Sequence, residues 1–528
     1  MRIIPIYQRD NPFPCYLAIS YLLSAFEVGY TKYVINNTKA GVGMSIFTDI
    51  EYLVPLTLFF NILLAMTIIF LERKDATSTW AWILVLFFLP LAGFILYLLL
   101  GRQLRRKHLF RWEGRKDIGI DNLITYQMEA IRDETFEFRI ANAENYQEMI
   151  YMHLRTNNAV LTQDNHLDIF DDGADKFEQL LKDIEAAKDH IHIQYYIFRL
   201  DDLGTRIVNA LIKKAKQGVK VRLLYDEMGS RNVKRRHFKE LLHAGGEVEV
   251  FFPSILPLLN PRLNFRNHRK IVVIDGRIGY IGGFNVGDEY LGLQKKFGYW
   301  RDTHLRIEGS AVHPLQTRFL LDWNQASAQQ KMGYSDRYFP AIPKKGDVGL
   351  QIVSSGPDSD WEQIKIGYLK LINMAQKYIY IQTPYFIPDV SFLDAIKIAT
   401  LSGIDVRIMI PNKPDHMFVY WATYSYVGQL LRAGAKVYIY EKGFIHAKAI
   451  IIDDEASSVG TANIDVRSFS LNFEVNAFIY DANISHQLAE LFEKDIFDCT
   501  ELTWEMYKNR STLIKFKESI SRLLTPIL

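Results

Sequence analysis

The chain has 528 residues, with 62 Lys and Arg against 60 Asp and Glu, a formal net charge of +2. At roughly 150 residues per domain the length suits two to four domains, and the charge lacks the basic excess of a dedicated nucleic-acid binder. Apolar residues at 49% and charged residues at 23% exclude a wholly disordered chain, and two cysteines, Cys15 and Cys499, exclude a disulfide scaffold, a zinc ribbon and an iron–sulfur cluster.

The apolar excess lies in the first hundred residues. Residues 16–26 are apolar but short; they follow Pro12 and Pro14 and end at Glu27. An interfacial helix is the preferred reading, with a third span or a signal-like segment as alternatives. Residues 52–71 and 79–100 are both free of charge. At ~1.5 Å per residue each is long enough for a ~30 Å hydrocarbon core, which predicts a transmembrane helical hairpin. Trp80, Trp82 and Tyr97 suit the interfacial aromatic belt. Arg102, Arg105, Arg106, Lys107 and Arg111 follow the second run, and the positive-inside rule makes that flank cytoplasmic. Everything beyond about residue 112 is then expected to be a cytoplasmic globular part.

That part alternates strands and helices. Residues 191–198 (IHIQYYIF), 219–225 (VKVRLLY) and 248–252 read as strands. Helical spacing at 203–217 stops at Gly218, and a helix over 238–244 ends at Gly245-Gly246. The order recurs: strands at 378–386 (YIYIQTPYF), 404–410 (IDVRIMI) and 437–440, a helix at 390–401 before Gly403, and another ending at 433 before Gly434. Gln194 pairs with Gln382, Arg222 with Arg407 and Gly245 with Gly434, at nearly constant offset. Two copies of one α/β unit are expected, not a solenoid of short repeats.

Each copy carries the same constellation. NHRKIVVIDGRIGYIGGFN (267–285) holds His268, Lys270, Asp275, Gly282 and Asn285; IHAKAIIIDDEASSVGTAN (445–463) holds His446, Lys448, Asp453, Gly460 and Asn463. In an extended segment His-x-Lys sends both side chains to one face, and the glycines allow close backbone approach. Lys270, Lys448, Asn285 and Asn463 can bind a phosphate, while one His attacks phosphorus and the other protonates the leaving oxygen. Asp275 and Asp453 complete the catalytic pattern, although loop anchoring suits them better than substrate contact. No HExxH, CxxC, EF-hand or Walker A sequence is present, so the expected chemistry uses no metal, cofactor or nucleotide.

The doubled H-x-K-x4-D pattern resembles the phospholipase D superfamily. The segments WAWILVLFFLPLAGFILYLLLGR (80–102), WRDTHLRIEG (300–309), SSGPDSDW (354–361) and IQTPYFIPD (381–389) look like bacterial cardiolipin synthases. The resemblance implies an α/β fold of two tandem sandwich repeats forming a pseudo-dimer: a membrane region at 1–111 and catalytic domains at 112–340 and 341–528. It implies transfer of a phosphatidyl group from one phosphatidylglycerol to another, giving cardiolipin and glycerol through a phosphohistidine. Another alcohol acceptor, or water, would use the same site. His268 would be the nucleophile and His446 the acid and later base, or the reverse. A carboxylate past the Asn would orient each ring; aligning FEVNAFIY (473–480) with RDTHLRIE (301–308) proposes Asp302 and Glu474, with Glu289 as runner-up for the first motif. The implied partners are phosphatidylglycerol, cardiolipin and the lipid bilayer, with no nucleic acid. The implied place is the bacterial cell membrane, multi-pass, with cytoplasmic catalytic domains.

At the C-terminus Leu513, Phe516, Ile520, Leu523, Leu524 and Ile527 recur at helical spacing, with Lys515, Lys517 and Arg522 off the stripe. A last helix packing this stripe on the second α/β unit is the preferred reading; a helix lying on anionic lipid is the other.

Overall fold

Proline decides the shape of the N-terminal helices. In the computed structural model the chain continues as helix α1 (Ile46–Thr67), α2 (Ala76–Phe88) and α3 (Pro90–Leu96). The second apolar run is not one helix. Pro90 has no N–H to donate, so Leu89 leaves helical geometry at φ −127°, ψ 67° and a new helix starts with proline in its first turn. Gly93 lets the two pieces fold closely, since a Cβ there would lie 2.6 Å from the Val85 carbonyl oxygen. Among the described residues no helix is long and apolar enough to cross a membrane, which departs from the unbroken spans expected at 52–71 and 79–100. The structure describes residues 46–68, 76–97, 119–253, 264–327, 329–413, 415–523 and 525; the apolar segment 16–26 and the ends of both runs lie outside them. Ile68, Leu86 and Tyr97 form a small core, while Phe59, Phe60, Ile62, Phe87 and Phe88 are exposed. Two compact units result, residues 1–97 and 98–528.

In the larger unit the repeat is explicit. The first copy supplies β1 (Thr162–Phe170), β2 (His190–Tyr195), β3 (Lys220–Asp226), β4 (Glu247–Phe251), β5 (Arg266–Asn267), β6 (Ile271–Ile274), β7 (Ile278–Gly282), β8 (Tyr299–Arg301) and β9 (His304–Glu308). The second supplies β10 (Val348–Ser355), β11 (Tyr378–Gln382), β12 (Phe386–Ile387), β13 (Asp405–Pro411), β14 (Lys436–Tyr440), β15 (Gly443–Ile445), β16 (Ala449–Ile452), β17 (Ala456–Gly460), β18 (Ile464–Asp465) and β19 (Asn472–Ile479), followed by β20 (Cys499–Glu501). The order β4-β3-β2-β6-β7-β9-β1 is mirrored by β14-β13-β11-β16-β17-β19-β10. The two join edge to edge, antiparallel, through β1 and β10 into one sheet. The strand expected at 378–386 breaks after Gln382, and residues 386–387 instead pair with β18.

Both faces are covered, which is why the motif strands read as continuous apolar runs. Val272 and Ile274 face a core with α6 (Gly173–Ala186) and α7 (Asp202–Lys216). Ile271 and Val273 face the opposite core, shared by both copies, with α8 (Val312–Ala326) and α12 (Ala482–Ile496). In the second copy α9 (Gln363–Met374), α10 (Val390–Leu401) and α11 (Met417–Ala433) take the corresponding core. Two amphipathic helices, α4 (Ile120–Arg132) and α5 (Gln147–Asn157), also pack there. Helix α11 stops where the sequence predicts, with Gly434 in the left-handed region at φ 102°.

The last helix, α13 (Thr512–Leu523), packs on α11 of the second copy, as preferred from the sequence, but by the face opposite its apolar stripe. It turns Glu518 and Ser521 inward and leaves Leu513, Phe516, Ile520 and Leu523 in the open. An ion pair overrides hydropathy: Arg510 grips the buried Glu518 carboxylate at 2.6–3.0 Å. Leu524 and Ile527 lie outside the described residues.

Candidate active site

Each motif histidine enters the site on a short strand that crosses to the other copy. β5 runs parallel to the start of β19, pairing Asn267 with Phe473, and the His268 N–H then donates to the Phe473 carbonyl at 2.9 Å. β15 runs parallel to β8, pairing Ile445 with Arg301, and the His446 N–H donates to the Arg301 carbonyl at 2.7 Å. The residue next along each partner strand is a carboxylate. So Nδ1 of His268 lies 2.9 Å from Glu474 Oε2, and Nδ1 of His446 lies 2.5 Å from Asp302 Oδ2. Both acids are wholly buried. The pairing is crossed: each acid serves the other copy's ring. Glu289 is not involved; it pairs with Arg199 at 2.7 Å.

This contact sets the tautomer. A carboxylate accepts only, so it holds the ring proton on Nδ1 and leaves the Nε2 lone pair available. Nε2 of neither ring has a hydrogen-bond partner among the described residues. Burial pushes the His268 pKa down, with Glu474 opposing and both Lys270 and Lys448 assisting. Burial, then Lys448, push His446 down to about 3 against the pull of Asp302. Burial works against ionising Asp302, but Lys448 and His446 outweigh it and keep this acid below its ordinary range. Glu474 behaves alike: burial opposes its charge, and His268 and Lys270 favour it.

The lysines return to their own motifs. Lys270 Nζ donates to the His268 carbonyl at 2.7 Å, and Lys448 Nζ donates to the His446 carbonyl and lies 2.8 Å from His446 Nδ1. With Nδ1–H committed to Asp302, only the carbonyl can accept from that ammonium. Burial lowers Lys270 to about 7 and Lys448 to about 8. Each lysine acts electrostatically on both histidines, so the two motifs form one site.

The remaining motif residues divide. Asp275 accepts from the N–H groups of Lys188, Asp189 and His190 at 2.7–3.0 Å, and Asp453 from those of Gln376, Lys377 and Tyr378 at 2.6–2.8 Å. Each carboxylate is spent on the loop that enters the strand beside its motif, which corrects their place in the catalytic set and matches the anchoring role. Asn285 is also engaged: its Oδ1 accepts from the Ile197 N–H at 3.0 Å and its Nδ2 donates to the Tyr290 hydroxyl at 3.2 Å. Asn463 differs, since its buried Oδ1 has no hydrogen-bond partner among the described residues. At Gly460 an added Cβ would strike Asn476, and at Gly283 it would strike the Asp302 carboxylate.

Sequence reasoning missed the support behind the two acids. Arg269, wholly buried, pairs with Asp322 at 2.8 Å and donates to the Glu474 carbonyl at 3.0 Å. Arg301 pairs with Asp495 at 2.9 Å and donates to the Asp302 carbonyl. Gln194 donates to Asp322 at 2.7 Å and Gln382 to Asp495 at 2.8 Å. Those glutamines were the repeat's matched pair, and a charged partner for each was the signal available. Also missed were Thr461, whose hydroxyl donates to Glu474 at 2.6 Å, and the Tyr196 and Trp300 rings, 4.8 and 5.2 Å from His268 and His446.

Two activated imidazoles and two buried ammonium groups between mirrored half-sheets define a phosphodiester-transfer site. Comparison with known proteins agrees. The family model described as "Cardiolipin synthase, PLD-like domain" matches residues 180–319 and 368–496, and one described as "Phospholipase_D-nuclease N-terminal" matches 59–102. The chain is 62% identical to the major cardiolipin synthase ClsA of Bacillus subtilis (strain 168) over 90% of this chain and 98% of that protein. It is 56% identical to the cardiolipin synthase of Listeria welshimeri serovar 6b over 91% and 99%. The crystal structure of phosphatidylserine synthase from Haemophilus influenzae Rd KW20 shares the fold, with TM-score 0.55 at 15% identity over 72% of this chain and 97% of that one. The chain belongs to the cardiolipin synthase family of the phospholipase D superfamily.

Proposed function

We propose that this protein is a cardiolipin synthase that joins two phosphatidylglycerols and releases glycerol. The observation that carries the reading is the pair of rings whose Nδ1 atoms are pinned by opposite-copy carboxylates, while neither Nε2 has a hydrogen-bond partner among the described residues. In the first step Nε2 of His268 attacks the donor phosphorus, the phosphorus–oxygen bond to the headgroup glycerol breaks, and protonated His446 gives its proton to the leaving oxygen. In the second, neutral His446 takes the proton from the acceptor's headgroup hydroxyl, whose oxygen attacks phosphorus and breaks the phosphorus–nitrogen bond. Lys270 and Lys448 neutralise the phosphate oxygens, and Asn463 and the remaining amide hydrogen of Asn285 bind them. Asp302 and Glu474 fix the rings and stabilise each imidazolium as it forms. One observation favours exchanged roles: the Lys448 ammonium beside His446 disfavours a cationic ring there, which suits His446 as the attacking group.

Expression in a cardiolipin-free host, followed by lipid mass spectrometry, tests the reading. Wild type should restore cardiolipin, and H268A and H446A should each lower turnover by at least ~10²-fold. Normal activity in either variant would remove the shared-site mechanism. Denaturation during turnover should trap phosphate on one ring only, which assigns the roles.

The N-terminal unit is read as the membrane anchor, supported by its uncharged runs, its exposed aromatic side chains and the match of residues 59–102. The two-pass form, with the catalytic unit cytoplasmic, rests on the basic flank at 102–111. A thiol introduced by A76C should then react with an impermeant reagent from outside the cell; labelling only from the cytoplasmic side would reverse the orientation. The catalytic unit is divided at 340/341 into halves 112–340 and 341–528, supported by the mirrored strand order.

A further inference from the structure

Helix α13 is amphipathic with its polar side turned inward. Arg510 holds Glu518 through Nε and one terminal nitrogen, and its guanidinium lies 3.5 Å over the Tyr507 ring. That clamp fixes the rotation of the helix. It leaves Leu513, Phe516, Ile520 and Leu523 at 62, 62, 39 and 75% exposure, in one outward stripe at helical spacing. Cations border the stripe on both sides. Lys517 stands 5.2 Å over the Trp421 ring on one shoulder, while Arg522, 4.6 Å over Tyr426, and exposed Lys515 lie toward the other. The helix's only acid is the buried Glu518. Met417 and Phe418, at the start of the α11 helix along which α13 packs, are exposed as well.

We infer that α13 is a second membrane-docking element, whose apolar stripe lies in the acyl boundary of an anionic bilayer while Lys515, Lys517 and Arg522 meet lipid phosphates. Charge selects this occupant. A second copy seated on the stripe through a two-fold contact would face these cations with themselves, whereas anionic lipid attracts each of them. The location adds a purpose, which rests on the reading that the substrates are bilayer phospholipids. α13 packs on α11; Thr423 of α11 accepts from the Phe386 N–H of β12 at 3.2 Å; and β12 pairs with β18, the strand that directly follows Asn463. Docking α13 therefore sets the height of the second catalytic motif above the lipid surface.

The test uses the full chain carrying C15S, C499S and F516C, with an environment-sensitive dye on the introduced thiol. The chain is placed in phosphatidylglycerol-containing vesicles, in phosphatidylcholine vesicles and in detergent. Quenching by aqueous acrylamide should be at least ~10-fold weaker in the anionic vesicles than in the zwitterionic ones, and K515E/K517E/R522E should restore it. Equal quenching in both vesicles overturns the inference. So does equal shielding in detergent, which would mean that the N-terminal unit or a second copy covers the stripe. The same charge reversal, without the dye, should slow cardiolipin formation in vesicles but not from dispersed lipid in micelles, with an unchanged melting temperature; equal slowing in both also counts against docking. A shielded dye on a chain that makes no cardiolipin would instead sink the functional reading and leave the docking intact.

Discussion

His268 and His446 are unremarkable as sequence letters; their chemistry comes from what each Nδ1 touches. The 2.9 and 2.5 Å contacts to Glu474 and Asp302 supply orientation and tautomer, and the buried lysines supply positive charge where a phosphate must lie. That charge is pH-sensitive. Burial lowers Lys270 to about 7 and Lys448 to about 8, so in the free enzyme both ammonium groups are lost as pH rises through that range. kcat/KM for phosphatidylglycerol should accordingly fall as pH rises from about 7 through 8, whereas kcat should fall later because bound phosphate holds the protons on. A kcat/KM profile flat to about pH 9.5 would show that the lysines do not need their charge to capture substrate.

At the scale of elements, helix α5 carries a histidine outside the two motifs. His153 is wholly buried against Phe478, neither ring nitrogen has a hydrogen-bond partner among the described residues, and burial pushes its pKa down to about 3. The unfolded chain therefore binds a proton at His153 between about pH 6.5 and 3 that the folded chain does not. Its contribution to the pH dependence is full stability above about pH 6.5, lost progressively as the pH falls toward 3. H153L keeps the apolar contact and removes the titration. The acid-side fall in melting temperature should be shallower than in wild type, with little change at pH 8; identical slopes would mean that other groups dominate. Elements also show where local pattern was enough. The strand read at 219–225 formed at 220–226, the one read at 191–198 formed but ended at Tyr195, and the helix closed by Gly434 formed as read, because the strands lie buried in the sheet and a left-handed glycine ends the helix. Pro90 was equally visible, yet the run around it was read as one span because hydropathy counts side chains and not backbone donors.

The larger unit is built on a mirrored sheet, with the candidate active site at the crossing of the two copies. Since His268 meets Glu474 and His446 meets Asp302 across the copies, neither half holds both members of either pair. H268A and H446A chains mixed in one membrane should gain no activity over the single variants, because both rings must belong to one chain. Recovery to a quarter or more of wild type would show exchange of halves between chains. By itself the sequence determined the two copies, the doubled motif, the acids that meet the rings and the family they resemble, all of which are patterns of residue type at fixed spacing. Only the tertiary structure decided that the acids cross over and that α13 turns its apolar stripe outward. The reason is separation along the chain. The pairings of β5 with β19 and of β15 with β8 join segments that no local spacing relates, and a buried Arg510–Glu518 pair fixed a helix rotation that hydropathy alone would have reversed.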